Sequence, residues 1–307
     1  MLANAASGKT AKVTNKGTIN ANGEVIGMVV EDNSEGLNDT GAEIVAKNEE
    51  PLKAIGAYIN GASAKFTNKG KISAENIALV LQGTKEGNIK NTGTLNLTKT
   101  GAVGVYAKDS VVDFNIAPTV ATGADGTVAL YATGNTSEVT LVKPEKFSAY
   151  LSGNSVAAYA NDKGKVDMNQ TTLPSAPNIH IKSTDNKGMG LFAYNGGVIN
   201  ANKNYIKVEN GSTGMSAIGA NGASKSTIFF NGGKLDYDGE GYALYAKNSG
   251  EIKFANGDII LRGKSTAMEL NTSGTNPIDI SNTQITVMSN DVIVFNMLNA
   301  TTPIKVT

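Results

Sequence analysis

Apolar residues in this chain follow a period of two, not 3.6, and they do so in short bursts. Val112-Asp113-Phe114, Val139-Thr140-Leu141, Val166-Asp167-Met168, Ile228-Phe229-Phe230, Ile252-Lys253-Phe254 and Ile278-Asp279-Ile280 each alternate apolar, outward, apolar. A second set does the same: Thr94–Leu97, Ile179-His180-Ile181, Ile206-Lys207-Val208, Leu235-Asp236-Tyr237 and Ile285-Thr286-Val287. Successive side chains on a strand point to opposite faces, so these bursts predict half-buried strands. Between the two sets lies an apolar-x-Asn-x-Gly turn, as in Val13–Gly17, Phe66–Gly70 and Ile89–Gly93, with a variant carrying Asp39 and Gly41 after Leu37. Gly and Asn enter the left-handed backbone region at the least cost, which suits sharp corners. Stacked corner amides are expected to bond to one another from one repeat to the next.

A third segment sets the period. A small residue followed by two further positions recurs at Gly27-Met28-Val29, Gly56-Ala57-Tyr58, Ala78-Leu79-Val80, Gly104-Val105-Tyr106, Ala129-Leu130-Tyr131 and Ala157-Ala158-Tyr159. It continues at Gly190-Leu191-Phe192, Ala217-Ile218-Gly219, Ala243-Leu244-Tyr245, Ala267-Met268-Glu269 and Val292-Ile293-Val294, at a mean spacing of about 26 residues. Three short strands and their corners per 26 residues describe one coil of an all-β, right-handed parallel β-helix of about eleven coils. At ~4.8 Å per stacked strand the rod is about 50 Å long. The second and fourth positions of each copy are apolar and are expected to face inward. The third position accepts Glu269, and a lone buried carboxylate is costly, so the third position is expected to face solvent. Each coil then buries roughly six aliphatic side chains, at about 1.5–3 kcal/mol each before entropy, so a stack is stable where one coil is not.

No composition break divides the chain, so residues 1–307 read as one solenoid. Longer steps place loops near 31–35, 48–53, 143–146 and 171–178, and the absence of capping helices suggests a segment of a longer rod. Repeats such as Val13–Asn20 and Gly101–Lys108 resemble passenger coils of type V autotransporter adhesins, most closely the large fusobacterial outer-membrane adhesins of the RadD-like group. That resemblance implies display on the outer-membrane surface, through a translocator outside this chain, and attachment to host cells or other bacteria through a protein or glycan receptor.

Composition narrows the chemistry. The 27 basic and 27 acidic side chains cancel, and Arg262 is the lone Arg. A nucleic-acid binder needs a basic face and guanidinium forks, so that class is not expected. With no Cys and only His180, neither a thiol nor a Cys/His metal centre can be built, no catalytic triad can be assembled, and no cofactor is expected. No apolar run is long enough to span a bilayer as a helix. The chain therefore reads as a monomeric, non-enzymatic surface segment. A β-helix polysaccharide lyase or hydrolase and a tailspike-like structural fibre are the rivals. Adjacent carboxylates at Glu31/Asp32, Glu49/Glu50 and Asp236/Asp238 would be the lyase's raw material.

Two features are candidate contact sites. The outward stripe Tyr58, Tyr106, Tyr131, Tyr159, Phe192 and Tyr245 would form either a platform for sugars or proteins, or a self-supporting ladder. The loop 171–178, with Thr171, Thr172, Pro174 and Pro177, leaves the regular surface where solenoids tend to carry function.

Overall fold

The computed structural model describes residues 1–307 except 48–53, 86, 115–118, 123, 136, 142–146, 184–186, 221–223, 272–277, 298–304 and 307. The chain winds as a right-handed parallel β-helix, with no helix among the described residues. Three sheets run its length, here called A, B and C, with 12, 12 and 11 strands. Each strand pairs with the equivalent strand one coil before and one coil after, always in parallel. The small-x-x segments build sheet A, the first alternating set sheet B, and the second set sheet C.

The small residue of each triplet is a steric requirement. In sheet A the chain turns two consecutive positions inward, as at Gly56 and Ala57, where alternation would allow one. A Cβ on Gly56 would lie 2.4 Å from Ile72 Cγ2 of sheet C and 2.6 Å from the Ala78 carbonyl oxygen of the next coil. Gly56 itself has no room for a Cβ, and in every copy from Gly27 to Ala267 this position is Gly or Ala.

Inside, the side chains stack by type. Phe230 and Phe254 lie ring on ring, 4.9 Å apart. Tyr237 is wholly buried among aliphatics, and its hydroxyl donates to the Gly211 carbonyl at 2.8 Å and accepts from the Gly241 N–H at 3.1 Å. A phenol satisfied on both sides can sit in a core, and burial pushes its pKa up.

The amide ladder forms at the corner between sheets B and C. Asn15 Nδ2 donates to Asn38 Oδ1 (2.9 Å), Asn38 to Asn68 (2.7 Å) and Asn68 to Asn91 (2.6 Å), all four residues being buried. The rung in the second coil is Asn38, not the Asp39 of the sequence reading. Asp39 lies one residue outside and faces Lys69 at 3.9 Å.

The hydrogen-bond register corrects the sequence reading elsewhere. The sheet A copy in the ninth strand is Gly214-Met215-Ser216: Met215 pairs Leu191 and Leu244, and Ser216 pairs Phe192 and Tyr245. Ile218 of the expected copy instead faces outward between Tyr194 and Lys247. In the last sheet A strand, Phe295 pairs Met268 and Asn296 pairs Glu269, so Val294-Phe295-Asn296 replaces Val292-Ile293-Val294. Leu2–Ala3 adds a copy before the first expected one, with Leu2 opposite Val29.

Glu269 does sit on the outward side, yet it is only 4% exposed. The Asn296 amide donates to its Oε2 at 3.0 Å, and the Tyr242 hydroxyl bonds it from the side. The parity was right; the reason was not, because neighbouring coils cover and satisfy the carboxylate. The stretch 31–35 is no loop either: Asp32 and Asn33 make a corner, and Ser34–Asn38 is a strand of sheet B. The segments 48–53 and 143–146 lie outside the described residues.

Candidate recognition surface

The outer face of sheet A carries three side-chain columns. One is aliphatic for most of its length and includes Ile55, Ile77, Val103, Val128, Val156 and Met189. The next is the stripe, and the third is mostly polar, with Asn60, Gln82, Lys108, Thr133 and Asn161. The first two columns touch: Ile77, Val80 and Val103 form a small buried cluster outside the solenoid, flanked by Ile55, Tyr58, Tyr106, Val128 and Tyr131. Alternation along one strand gives no sign of this outer cluster, because it assigns a position to a face and not to its neighbours in the adjoining coils.

Within the stripe, four rings are brought together and two are not. Tyr106 meets Tyr131 edge to face at 5.1 Å. Tyr131 and Tyr159 stack at 4.8 Å and 7° between planes, and Tyr159 and Phe192 at 4.9 Å and 13°. Val80 separates Tyr58 from this group, and Tyr58 donates its hydroxyl to Gln82 Oε1 at 2.7 Å. Ser216 separates Tyr245, whose ring stacks instead on Tyr242 at 5.1 Å.

That geometry decides what the rings can offer. A sugar stacks on an aromatic ring through an open ring face, and both faces of Tyr159 are covered by Tyr131 and Phe192. The ladder presents ring edges and hydroxyls, with the polar column beside them; Asn161 Nδ2 donates to the Tyr131 hydroxyl at 3.3 Å. Burial in the stack, with Tyr131 and Tyr194 adding to it, pushes the Tyr159 phenol up to about 12. Tyr106 and Tyr245 shift the same way, again chiefly through burial.

No family model, curated protein or solved structure matches this chain.

The loop 171–178 lies on a different side of the rod, at the corner between sheets B and C, so the two sequence candidates do not converge. Thr171 and Thr172 are exposed, while Pro174 and Pro177 are half-buried. Lys203 Nζ donates to the Thr171 carbonyl at 2.9 Å. At the far end Asn178 accepts from the Tyr205 N–H at 2.9 Å and donates to Asn204 Oδ1 at 2.8 Å. The loop is therefore fastened to the following coil at both ends.

The charged groups pair across coils. Glu35 sits between Lys12 (2.8 Å) and Lys65 (3.8 Å), and contact with Lys12 holds its carboxyl below the usual range. Glu138 pairs Lys165, and the nearly buried Glu251 meets Lys225, both at 2.6 Å. Arg262 forks onto Asp236, Nε to Oδ1 at 2.7 Å and a terminal N–H to Oδ2 at 3.3 Å, which engages one member of the Asp236/Asp238 pair. Asp32 accepts from the Ser63 N–H and hydroxyl, both at 2.9 Å, and those bonds lower its pKa. Glu49 and Glu50 lie outside the described residues. His180 Nε2 lies 3.4 Å from Glu209 Oε1, and Glu209 also pairs Lys207, whose hydrogen bond depresses the Glu209 pKa. Among the described residues no three His, Asp or Glu side chains converge as a metal cage would need.

Proposed function

We propose that this chain is a segment of a surface-displayed adhesin. It acts as a stalk and as a lateral, non-covalent recognition surface for host cells or other bacteria. The observation that carries the reading is the outer face of sheet A, where aliphatic, aromatic and polar columns run side by side across consecutive coils. Around the buried Ile77, Val80 and Val103, the half-exposed Ile55, Tyr58, Tyr106, Val128, Tyr131, Val156 and Tyr159 form a continuous apolar strip edged by polar groups, the layout of an interaction surface with an apolar centre and a polar rim. Repetition at strand spacing multiplies weak contacts along the rod, so modest individual affinities add to firm attachment. Because both faces of Tyr159 and one face each of Tyr131 and Phe192 are occupied by neighbouring rings, the partner for the centre of this face is better a protein than a stacked sugar. Carboxylates individually paired with Lys, Arg or hydroxyl donors suit a scaffold better than a cleft poised for acid–base chemistry.

The test is saturable binding of the labelled 307-residue chain to epithelial cells and to partner bacteria. The double variant Tyr131→Ser/Tyr159→Ser is compared in the same assay. The reading expects saturable binding that the double variant loses while its far-UV circular dichroism is unchanged. Absence of saturable binding to either cell type would overturn it. Loss of folding in the double variant would instead assign the stripe to stability, with binding sought on another face.

A further inference from the structure

The corner between sheets B and C changes character along the rod. In the first four coils its Asn ladder is buried; further along, a second ladder stands on the outside. Asn282 Nδ2 donates to Asn256 Oδ1 at 2.8 Å, and Asn256 Nδ2 to Asn231 Oδ1 at 2.7 Å. Below them the Asn231 N–H donates to Asn202 Oδ1 at 2.8 Å, and the Asn202 N–H to Asn169 Oδ1 at 2.8 Å. Asn231, Asn256 and Asn282 are exposed. Asn256 and Asn282 hold left-handed backbone angles, φ 51° and 45°, which aim successive amides outward in line.

Two hollows flank this column. On the sheet B side one of about 400 Å³ is lined by Asn200, Asn202, Asn231, Phe229 and Lys253. On the other side one of about 520 Å³ runs past Gly233, Asn256 and Asn282, with Leu173 of the 171–178 loop on its wall. Phe229 points out of sheet B, half-exposed, with Lys253 Nζ 5.3 Å from its ring centre on the side of the next coil.

We infer that this corner is a binding groove for a neutral, hydroxyl-rich glycan chain. A side-chain amide has two N–H donors and two acceptor lone pairs. Asn256 spends one of each in the ladder, Asn282 only a donor and Asn231 only an acceptor, so each of these three exposed amides keeps a donor and an acceptor side by side. Sugar hydroxyls are themselves both donor and acceptor, so they fit such a row. The rungs repeat at ~4.8 Å, close to the length of one pyranose residue in a linear chain. Phe229 and Leu173 supply apolar surface for the sugar's C–H faces, and unlike Tyr159, Phe229 lies between Asn200 and Lys253 rather than between two aromatics. The backbone at this corner is already engaged: Gly232 N–H bonds the Ala255 carbonyl (2.8 Å) and Asn256 N–H the Ser281 carbonyl (2.9 Å). An added peptide strand therefore finds no open edge here. The groove holds Lys253 and Asp258 at its two sides, so it selects for neither sign of charge. This inference rests on the recognition reading above but uses a different face of the rod.

The experiment measures binding of neutral gluco-, galacto- and manno-oligosaccharides, from tetra- to hexasaccharide, by calorimetry and saturation-transfer NMR. The variants are Phe229→Thr, which keeps a strand former and removes the ring, and Asn256→Gly, which keeps the left-handed turn and removes the amide. At least one series is expected to bind, more tightly as it lengthens. Each variant should weaken binding by about tenfold, while Tyr131→Ser/Tyr159→Ser leaves it within about twofold. If Asn256→Gly unfolds, Asn282→Ser is substituted. No binding by any series, or binding indifferent to both variants, overturns the groove. Cell attachment that persists in Phe229→Thr and is not competed by these oligosaccharides removes the glycan while leaving the adhesive reading in place. Failure of the unaltered chain to attach removes the adhesive reading, whatever the oligosaccharides do.

Discussion

Replacing Asn68 by Ala removes a middle rung of the buried amide ladder. Asn68 is fully buried, accepts from Asn38 Nδ2 at 2.7 Å and donates to Asn91 Oδ1 at 2.6 Å. Asn38 retains the Lys71 carbonyl at 3.2 Å as an acceptor, whereas Asn91 Oδ1 loses this donor in a site closed to water. Two hydrogen bonds at about 0.5–1.5 kcal/mol each, with part of a buried acceptor's desolvation cost, give a loss of about 2–4 kcal/mol. Urea unfolding followed by circular dichroism reads this directly, provided the slope with denaturant is unchanged. Lys16→Ala, at an exposed corner position, serves as control and should stay within about 0.5 kcal/mol of the parent.

A second substitution at the same rung tests direction as well as size. Asn68→Asp sets a carboxylate against the Asn91 acceptor, so at neutral pH it should be less stable than Asn68→Ala. Burial raises the folded-state pKa of that carboxyl above its unfolded value. Its stabilising neutral form, whose O–H can donate to Asn91, is fully present at low pH and lost as pH rises through the folded pKa. Acidification should therefore raise the stability of Asn68→Asp relative to Asn68→Ala. An Asn68→Ala variant as stable as the Lys16→Ala control, or an Asp variant that falls further behind on acidification, would refute the ladder argument.

Other parts of the scaffold give equally direct readings. Gly56→Val drives side-chain atoms toward Ile72 and the Ala78 carbonyl and should cost about 1–3 kcal/mol in chemical denaturation; Gly17→Ala, with open space around its Cβ, should change stability by less than about 0.5 kcal/mol. Spectrophotometric titration should find the Tyr159 phenol ionising near 12; because this exceeds the ordinary value of 10.0, its contribution is present below pH 10 and is lost as pH rises toward 12. Tyr159→Ser should remove one tyrosine equivalent from the late part of the titration, to which the buried Tyr237 also contributes. Arg262→Met leaves the nearly buried Asp236 without its fork and should cost about 1.5–3 kcal/mol; adding Asp236→Asn should recover much of the loss, since both charges are then gone.

The coil, its three strands and its inward faces were legible because each rests on a local rule. Alternation identifies a strand, Asn and Gly identify a corner, and a Gly or Ala in each sheet A copy from Gly27 to Ala267 marks where coils come closest. Register was less legible, since only hydrogen bonds across coils define it. Gly214-Met215-Ser216 and Ala217-Ile218-Gly219 both satisfy the small-x-x pattern, and only the pairing of Met215 with Leu191 and Leu244 decides between them. Asn38 and Asp39 are adjacent corner formers, and only the amide supplies both a donor and an acceptor to the ladder. The burial of Glu269 could not be read from alternation, because Tyr242, Tyr245 and Asn296 come from neighbouring coils. The outer apolar cluster around Val80 escaped for the same reason: a single outward Val is unremarkable until its neighbours stack above and below it. The outer ladder from the half-buried Asn169 to the exposed Asn282 is a matter of spacing. Its rungs are ordinary corner Asn residues, and only stacking shows that they line up beside Phe229.

The direction of the hydrogen bonds has a mechanical consequence. Strands lie across the rod, so the bonds joining successive coils point along it, and tension between its two ends loads the coils one after another. Each coil can then peel away without the others yielding. A coil that occupies ~4.8 Å of rod releases about 90 Å of extended chain when it opens, taking ~26 residues at the full reach of the backbone. A tether built this way lengthens in steps under load, so that a sudden pull is absorbed by unwinding before it reaches whatever the surface is holding.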